Sequence, residues 1–148
     1  MLPQPREGEG IMTNSPAQTI ETVVGEGELG KISRETREVL RKYHDAFRSH
    51  DVEALVPLVH DDCTIENTGP GPNGSRHVGK TECLQLWQGI AGNKAGRFEH
   101  EEIFVAGDRC ITRWRYRWGE GDENSLRGLN MMRVKDGRFI EAFGYAKR

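Results

Sequence analysis

No apolar run in the 148-residue sequence approaches the ~20 residues that cross a bilayer, so no membrane-spanning helix is expected. Charge of one sign is also missing: 21 basic and 23 acidic residues leave a formal net charge of −2. That balance gives no global pull toward nucleic acid or an anionic membrane surface. Cysteine is scarce. Cys63, Cys83 and Cys110 are odd in number and far apart, which suits neither a disulfide framework nor a metal-ligand spacing. The expectation is a reduced thiol set in the cytoplasm, since residues 1–10 are rich in Pro, Gly and Glu and show no leader-like apolar core. No cofactor and no metal is expected: His60, Asp61, Asp62 and Cys63 are contiguous, and contiguous residues rarely converge on one ion. Large apolar residues are few up to residue 32, where Ile20, Val23 and Val24 cannot make a core. Residues 1–32 therefore read as a mobile extension and residues 33–148 as a single domain.

What is present is strong periodicity. Ser33 suits a helix N-cap, and Val39, Leu40, Tyr43, Ala46 and Phe47 then fall on one face, with charges on the other. Tyr43 lies on the buried stripe, so its hydroxyl needs an internal partner. Ser49-His50-Asp51 breaks this helix, and Asp51 can cap a short second one interrupted by Pro57. His60-Asp61-Asp62 reads as a turn and Cys63 to Asn67 as a strand, with Cys63, Ile65 and Asn67 on one face and Glu66 on the other. The Gly/Pro-rich stretch Thr68 to Gly74 must be loop. A third helix opens at Gly79 and buries Cys83, Leu86, Trp87 and Ile90.

The remainder reads as antiparallel strands: Phe98 to Val105, Cys110 to Trp118, Leu126 to Val134 and Phe139 to Tyr145. Lys135-Asp136-Gly137-Arg138 is a tight Asp-Gly hairpin. Three helices followed by a meander predict an α+β fold with one curved sheet wrapped over the helices. Arg113, Arg115 and Arg117 share a face of their strand, but Glu99 and Glu101 can pair with them from the neighbouring one, so a nucleic-acid patch is disfavoured.

The segment from Tyr43-His44-Asp45-Ala46-Phe47 to Leu55, then His60 to Asn67, resembles the opening of SnoaL-like, ketosteroid-isomerase-like proteins. Val78-Gly79-Lys80 and Arg133 to Glu141 add to the resemblance, which spans roughly residues 33–148. It implies the cone fold shared with nuclear transport factor two: a curved, mixed or antiparallel sheet over three N-terminal helices. It implies little about chemistry, because this fold hosts isomerases, cyclases, hydrolases, dehydratases and binding modules. A homodimer through the outer sheet face, around Arg113, Arg115 and Arg117, is a further implication of the resemblance.

In ketosteroid isomerases an Asp base moves a proton while a Tyr and a protonated Asp hold the enolate oxygen. The resemblance places the Tyr at Tyr43, the base at Asn67 and the protonated Asp at Asn130. Both acids are thus amides here. Asn67 cannot accept and return a proton, whereas the Asn130 NH2 can still donate to an oxygen. Glu66, His77, His60 and Glu141 are the other candidates for a base. Trp87, Trp114, Met132 and Phe143 are expected around the pocket, with His77 near its mouth. Each residue has a second reading: Tyr43 as an ordinary core tyrosine, Asn67 as a turn residue, the aromatics as plain core. Three functions stay open on this sequence: an isomerase- or cyclase-like enzyme for a small hydrophobic carbonyl compound, a non-catalytic binder of such a ligand, or a dimeric interaction module.

Overall fold

The computed structural model describes residues 19–147. Seven strands form one mixed sheet: β1 (Ile20–Val24), β2 (Val59–Asn67), β3 (Ser75–Val78), β4 (Arg97–Ala106), β5 (Arg109–Arg117), β6 (Ser125–Lys135) and β7 (Arg138–Ala146). Their order is β1-β4-β5-β6-β7-β2-β3, so the curved sheet stays open, with β1 and β3 at its edges. Two α-helices, α1 (Gly27–Arg48) and α2 (Lys80–Ala91), and a 3-10 helix at Glu53–Leu58 cover one face. The expected α+β class and the order of helices before meander hold.

The four-strand meander follows from sequence alternation. Cys110, Thr112 and Trp114 are buried on β5 while Ile111 and Arg113 are exposed. Asp136 and Gly137 both take positive φ (54° and 73°) in the β6–β7 turn, the conformation an Asp-Gly hairpin requires. The core gathers Leu40, Leu55, Val59, Val105 and Phe139, each wholly buried, where α1 and the 3-10 helix meet the sheet.

Four boundaries differ from the sequence reading. Helix α1 starts at Gly27, six residues before the expected cap at Ser33. Ser33 is instead buried in the helix, donating to Val24 O (2.6 Å) and accepting from the Gly107 N–H (2.8 Å). These bonds fasten the helix to β1 and to the β4–β5 turn, which a small side chain permits. Strand β1 lies in the stretch expected to be mobile; it needs no core of its own because it adds to β4 by parallel backbone pairing. The folded unit therefore reaches back before residue 33, and residues 1–18 of the expected extension lie outside the described residues. The 60–62 turn is part of β2, which begins at Val59 with a register irregularity before Thr64. Finally, β3 occupies Ser75–Val78 and pairs antiparallel with β2 over Thr64–Asn67. The second helix is a 3-10 segment that contains Pro57, with Asp51 Oδ1 accepting the Ala54 N–H at its start.

Removing the Ser33 hydroxyl leaves a buried Gly107 N–H unpaired. Ser33→Ala is expected to destabilise the protein by about 1–3 kcal/mol in urea denaturation, more than Ser49→Ala at the exposed helix end.

Candidate functional site

Tyr43 stands at the centre of an aromatic cage. Its ring meets Phe47 (4.8 Å between centroids), Trp87 (4.9 Å) and Phe139 (5.1 Å), the last two edge-on. The helical stripe supplies Tyr43 and Phe47, α2 supplies Trp87, and β7 supplies Phe139. The phenol is buried, and burial pushes its pKa well above the ordinary tyrosine value. It therefore remains a protonated donor at neutral pH. The Asn130 side chain, on β6, lies beside the phenol and acts on it in the opposite sense, lowering its pKa.

A cavity of about 320 Å³ opens beside this pair. Tyr43, Asn67, Asn130, Trp87 and Trp114 all line it, together with Phe47, Ile65, Phe98 and Ala142. Five residues expected in the site are thus brought to one cavity. Small side chains make the hollow. A Cβ on Gly128 would lie 2.6 Å from the Trp114 ring, and one on Gly144 would lie 3.1 Å from Asn130 Oδ1.

Three expected pocket residues are not among those that line the cavity. Met132 shares the inner face with Asn130, but it is packed into the core. Phe143 falls on the outer face, because its neighbour Ala142 takes the inner position against Ile65. His77 sits on edge strand β3 with its Nε2 2.8 Å from Ser75 Oγ. The other expected bases are engaged elsewhere as well. Glu66 touches the cavity rim but its carboxylate accepts from Arg76 (2.9 Å), and His60 Nδ1 accepts the Asp62 N–H. Glu141 lies beside Arg133, 4.0 Å from its guanidinium. Cys63, Cys83 and Cys110 are free and buried, and burial pushes the Cys110 thiol up to about 12.

Two groups were not singled out by the sequence reading. His44 and His100 stack with ring centroids 3.6 Å apart behind the cavity. His44 Nε2 lies 3.3 Å from Thr112 Oγ1. Burial holds both imidazoles well below the usual histidine pKa, His100 at about 4, with the Arg48 charge adding to each. The signal was present in the spacing: Thr36, Leu40 and His44 follow one another at four-residue intervals on the buried stripe, and His100 alternates with Phe98.

A lowered folded pKa means that the unfolded chain binds the proton more readily. The stability these neutral histidines contribute is therefore full above about pH 6.5 and falls as pH drops toward 4. At pH 5 the expected loss from His100 is about 2 kcal/mol, and His44 adds in the same direction. Urea denaturation at pH 7.5 and pH 5 checks this. His100→Phe, which keeps the stack, should shrink the difference, and an unchanged difference would contradict the assignment.

The SnoaL-like domain model matches residues 40–142. No match was found among curated proteins. Among solved structures, an NTF2-like protein of unknown function from Mesorhizobium loti is 45% identical; the match covers 87% of this chain and 99% of that one, with a TM-score of 0.75. A candidate ketosteroid isomerase from Kribbella flavida is 19% identical over 78% of this chain and 79% of its own, with a TM-score of 0.65. An LEH-like epoxide hydrolase from M. tuberculosis is 19% identical over 83% of each chain, with a TM-score of 0.62. With the family pattern running from helix α1 to strand β7 and a 45% identical relative over nearly the whole fold, the chain belongs to the SnoaL-like family of NTF2-like proteins.

Proposed function

We propose that the chain holds a small hydrophobic carbonyl compound in the cavity and stabilises negative charge developing on its oxygen, as an isomerase or cyclase would. The observation that carries this reading is buried Tyr43 beside half-buried Asn130 on the wall of a cavity that is more apolar than polar. Two neutral donors on one cavity wall can bind a carbonyl oxygen and bind it more strongly as it becomes an enolate. The aromatic and aliphatic lining suits a ligand with one or two polar atoms. Asn67 lines the same cavity and suits an orienting role for ligand or water. The candidate ketosteroid isomerase among the structural relatives is consistent with this class, though at 19% identity it supports the fold alone. The rival reading is a binder without chemistry. A self-filled interaction module fits less well with a cavity of about 320 Å³.

The test uses 2-naphthol, a planar mimic of an enolised ketone, titrated against tryptophan fluorescence. Binding is expected, and Tyr43→Phe or Asn130→Leu should each weaken it about tenfold, the loss of one hydrogen bond to a partly charged oxygen. Affinity indifferent to both substitutions would overturn the site assignment.

We also infer that the protein is a homodimer through the outer sheet face, with its centre moved from the arginines. Arg113, Arg115 and Arg117 are already paired within the chain, to Glu101 and Glu102, to Asp122, and to Glu99 and Asp122. Phe104, Ile111, Met131 and Phe143 instead form one row across β4, β5, β6 and β7, and the first three are exposed. A second copy laid across that row two-fold buries it against itself. Sedimentation should give a dimer, and Ile111→Glu with Met131→Glu a folded monomer. A native monomer at micromolar concentration would refute the inference.

A further inference from the structure

Beside the main cavity lies a second, water-sized void of about 10 Å³, lined by Tyr43, Phe47, Phe98, His100, Thr112, Trp114 and Asn130. Five of these residues also line the main cavity, so the two spaces share a wall. The Trp114 Nε1–H is buried and meets no acceptor among the described residues. A buried indole N–H without an acceptor is costly, and a void of this size admits one water when several polar groups face it. Five of the residues lining this void carry such groups: Tyr43, Thr112, Asn130, Trp114 and His100.

His100 is placed by an irregularity of the sheet. Strand β4 shifts register against β5 between His100 and Glu102. Before the shift, Phe98 and His100 face inward opposite Tyr116 and Trp114; after it, Ile103 and Val105 do. A bulge of this kind re-aims a side chain and recurs next to active sites. On its other side His100 is backed by the stacked ring of His44, itself beside Thr112.

We propose that His100 is the proton acceptor of this pocket, taking a proton from the carbon beside the bound carbonyl through one water seated in the small void. The proposal rests on the carbonyl-binding reading above. The step balances without any other reactant. The C–H bond breaks, and its electron pair forms the enolate double bond. The charge moves onto the oxygen held by Tyr43 and Asn130. The water passes one proton to an imidazole nitrogen of His100 and receives the carbon's proton, so it is regenerated. Return of a proton to the same or a conjugated carbon completes an exchange or an isomerisation. His100 does what an amide at position 67 cannot.

The surroundings keep His100 neutral and ready to accept. From α1 the groups acting on it are His44 and Arg48, with Arg37 acting on His44; Thr112, Trp114 and Asn130 face it from β5 and β6 without formal charge. Its basicity, near 4, is close to that of the ketosteroid isomerase aspartate at about 4.6.

The experiment follows exchange of the α-protons of 2-tetralone for deuterium in D2O by proton NMR, with 2-naphthol binding and circular dichroism measured on each variant. Native protein should accelerate exchange over buffer. His100→Gln should lower the protein-catalysed rate at least about 10²-fold while 2-naphthol affinity changes less than about threefold. Thr112→Val, which removes the hydroxyl from the void but leaves His100, serves if the first variant fails to fold, and should slow exchange about tenfold with binding intact. The native rate should rise with pH through about 4 and stay level above 6. Exchange unaffected by His100→Gln, a rate with no inflection near 4, or native protein that binds 2-naphthol without exchanging 2-tetralone each overturns the role of His100 and leaves carbonyl binding standing. Absence of 2-naphthol binding overturns both.

Discussion

The placing of Tyr43 and Asn130 side by side on one cavity wall is the constraint around which the interior is arranged. A phenol buried among aromatic rings is unfavourable unless a polar group stands near it, and half-buried Asn130 is that group. Tyr43 reaches that place because α1 packs its apolar stripe on the sheet, and Asn130 because it alternates inward on β6. The space around them is set by what is small. Gly128 admits the Trp114 ring, Gly144 leaves room for the Asn130 oxygen, and Ala142 stands opposite Ile65. Larger residues at these three inner-face positions would fill the cavity with core. Small residues on β6 and β7 thus give Trp114 and Asn130 the room to stand where they line the cavity.

Much of this was legible in the residues. The helical stripe through Tyr43, the alternation of β5, the Asp-Gly turn and the inward placement of Asn67 and Asn130 all follow from period and turn chemistry. What was not legible has a common cause: it depends on pairing across the sequence. Strand β1 is short and exposed on nearly every residue, so only its partner β4 makes it a strand. Strand β3 has four residues after a Gly/Pro loop and exists by pairing with β2. Helix α1 extends back to Gly27 because Ser33 finds acceptor and donor on two other elements. The inward placing of Ile103 and Val105 was hidden by the irregularity in β4, since strict alternation from Phe98 and His100 would have turned Glu102 and Phe104 inward instead. Phe143 was misread for a similar reason: the shift in register between Arg133 and Val134 decides which residues of β7 face in.

The charges of the molecule are kept out of the pocket. Glu66, at its rim, is paired with Arg76, and the arginines of β5 are paired on the outer face. Tyr43 stays protonated and the two histidines stay neutral. A ligand entering as an anion would lose its hydration and meet no counter-charge, which is strongly unfavourable. A neutral carbonyl loses little water and gains the donors at once.

This difference gives the arrangement its direction. Donors that are only adequate for a neutral oxygen become strong ones when charge appears on it in a low-dielectric space. In the proposed reaction the gain is realised late and little of it in the bound ground state, which is the condition for acceleration. The same low dielectric weakens His100 as a base, because it disfavours the isolated imidazolium. In the proposed step, charge on the ligand oxygen relieves that penalty, since the cation and the oxyanion form together beside one small void. An acceptor whose protonation is favoured only when the enolate is present protonates with the reaction and remains neutral otherwise.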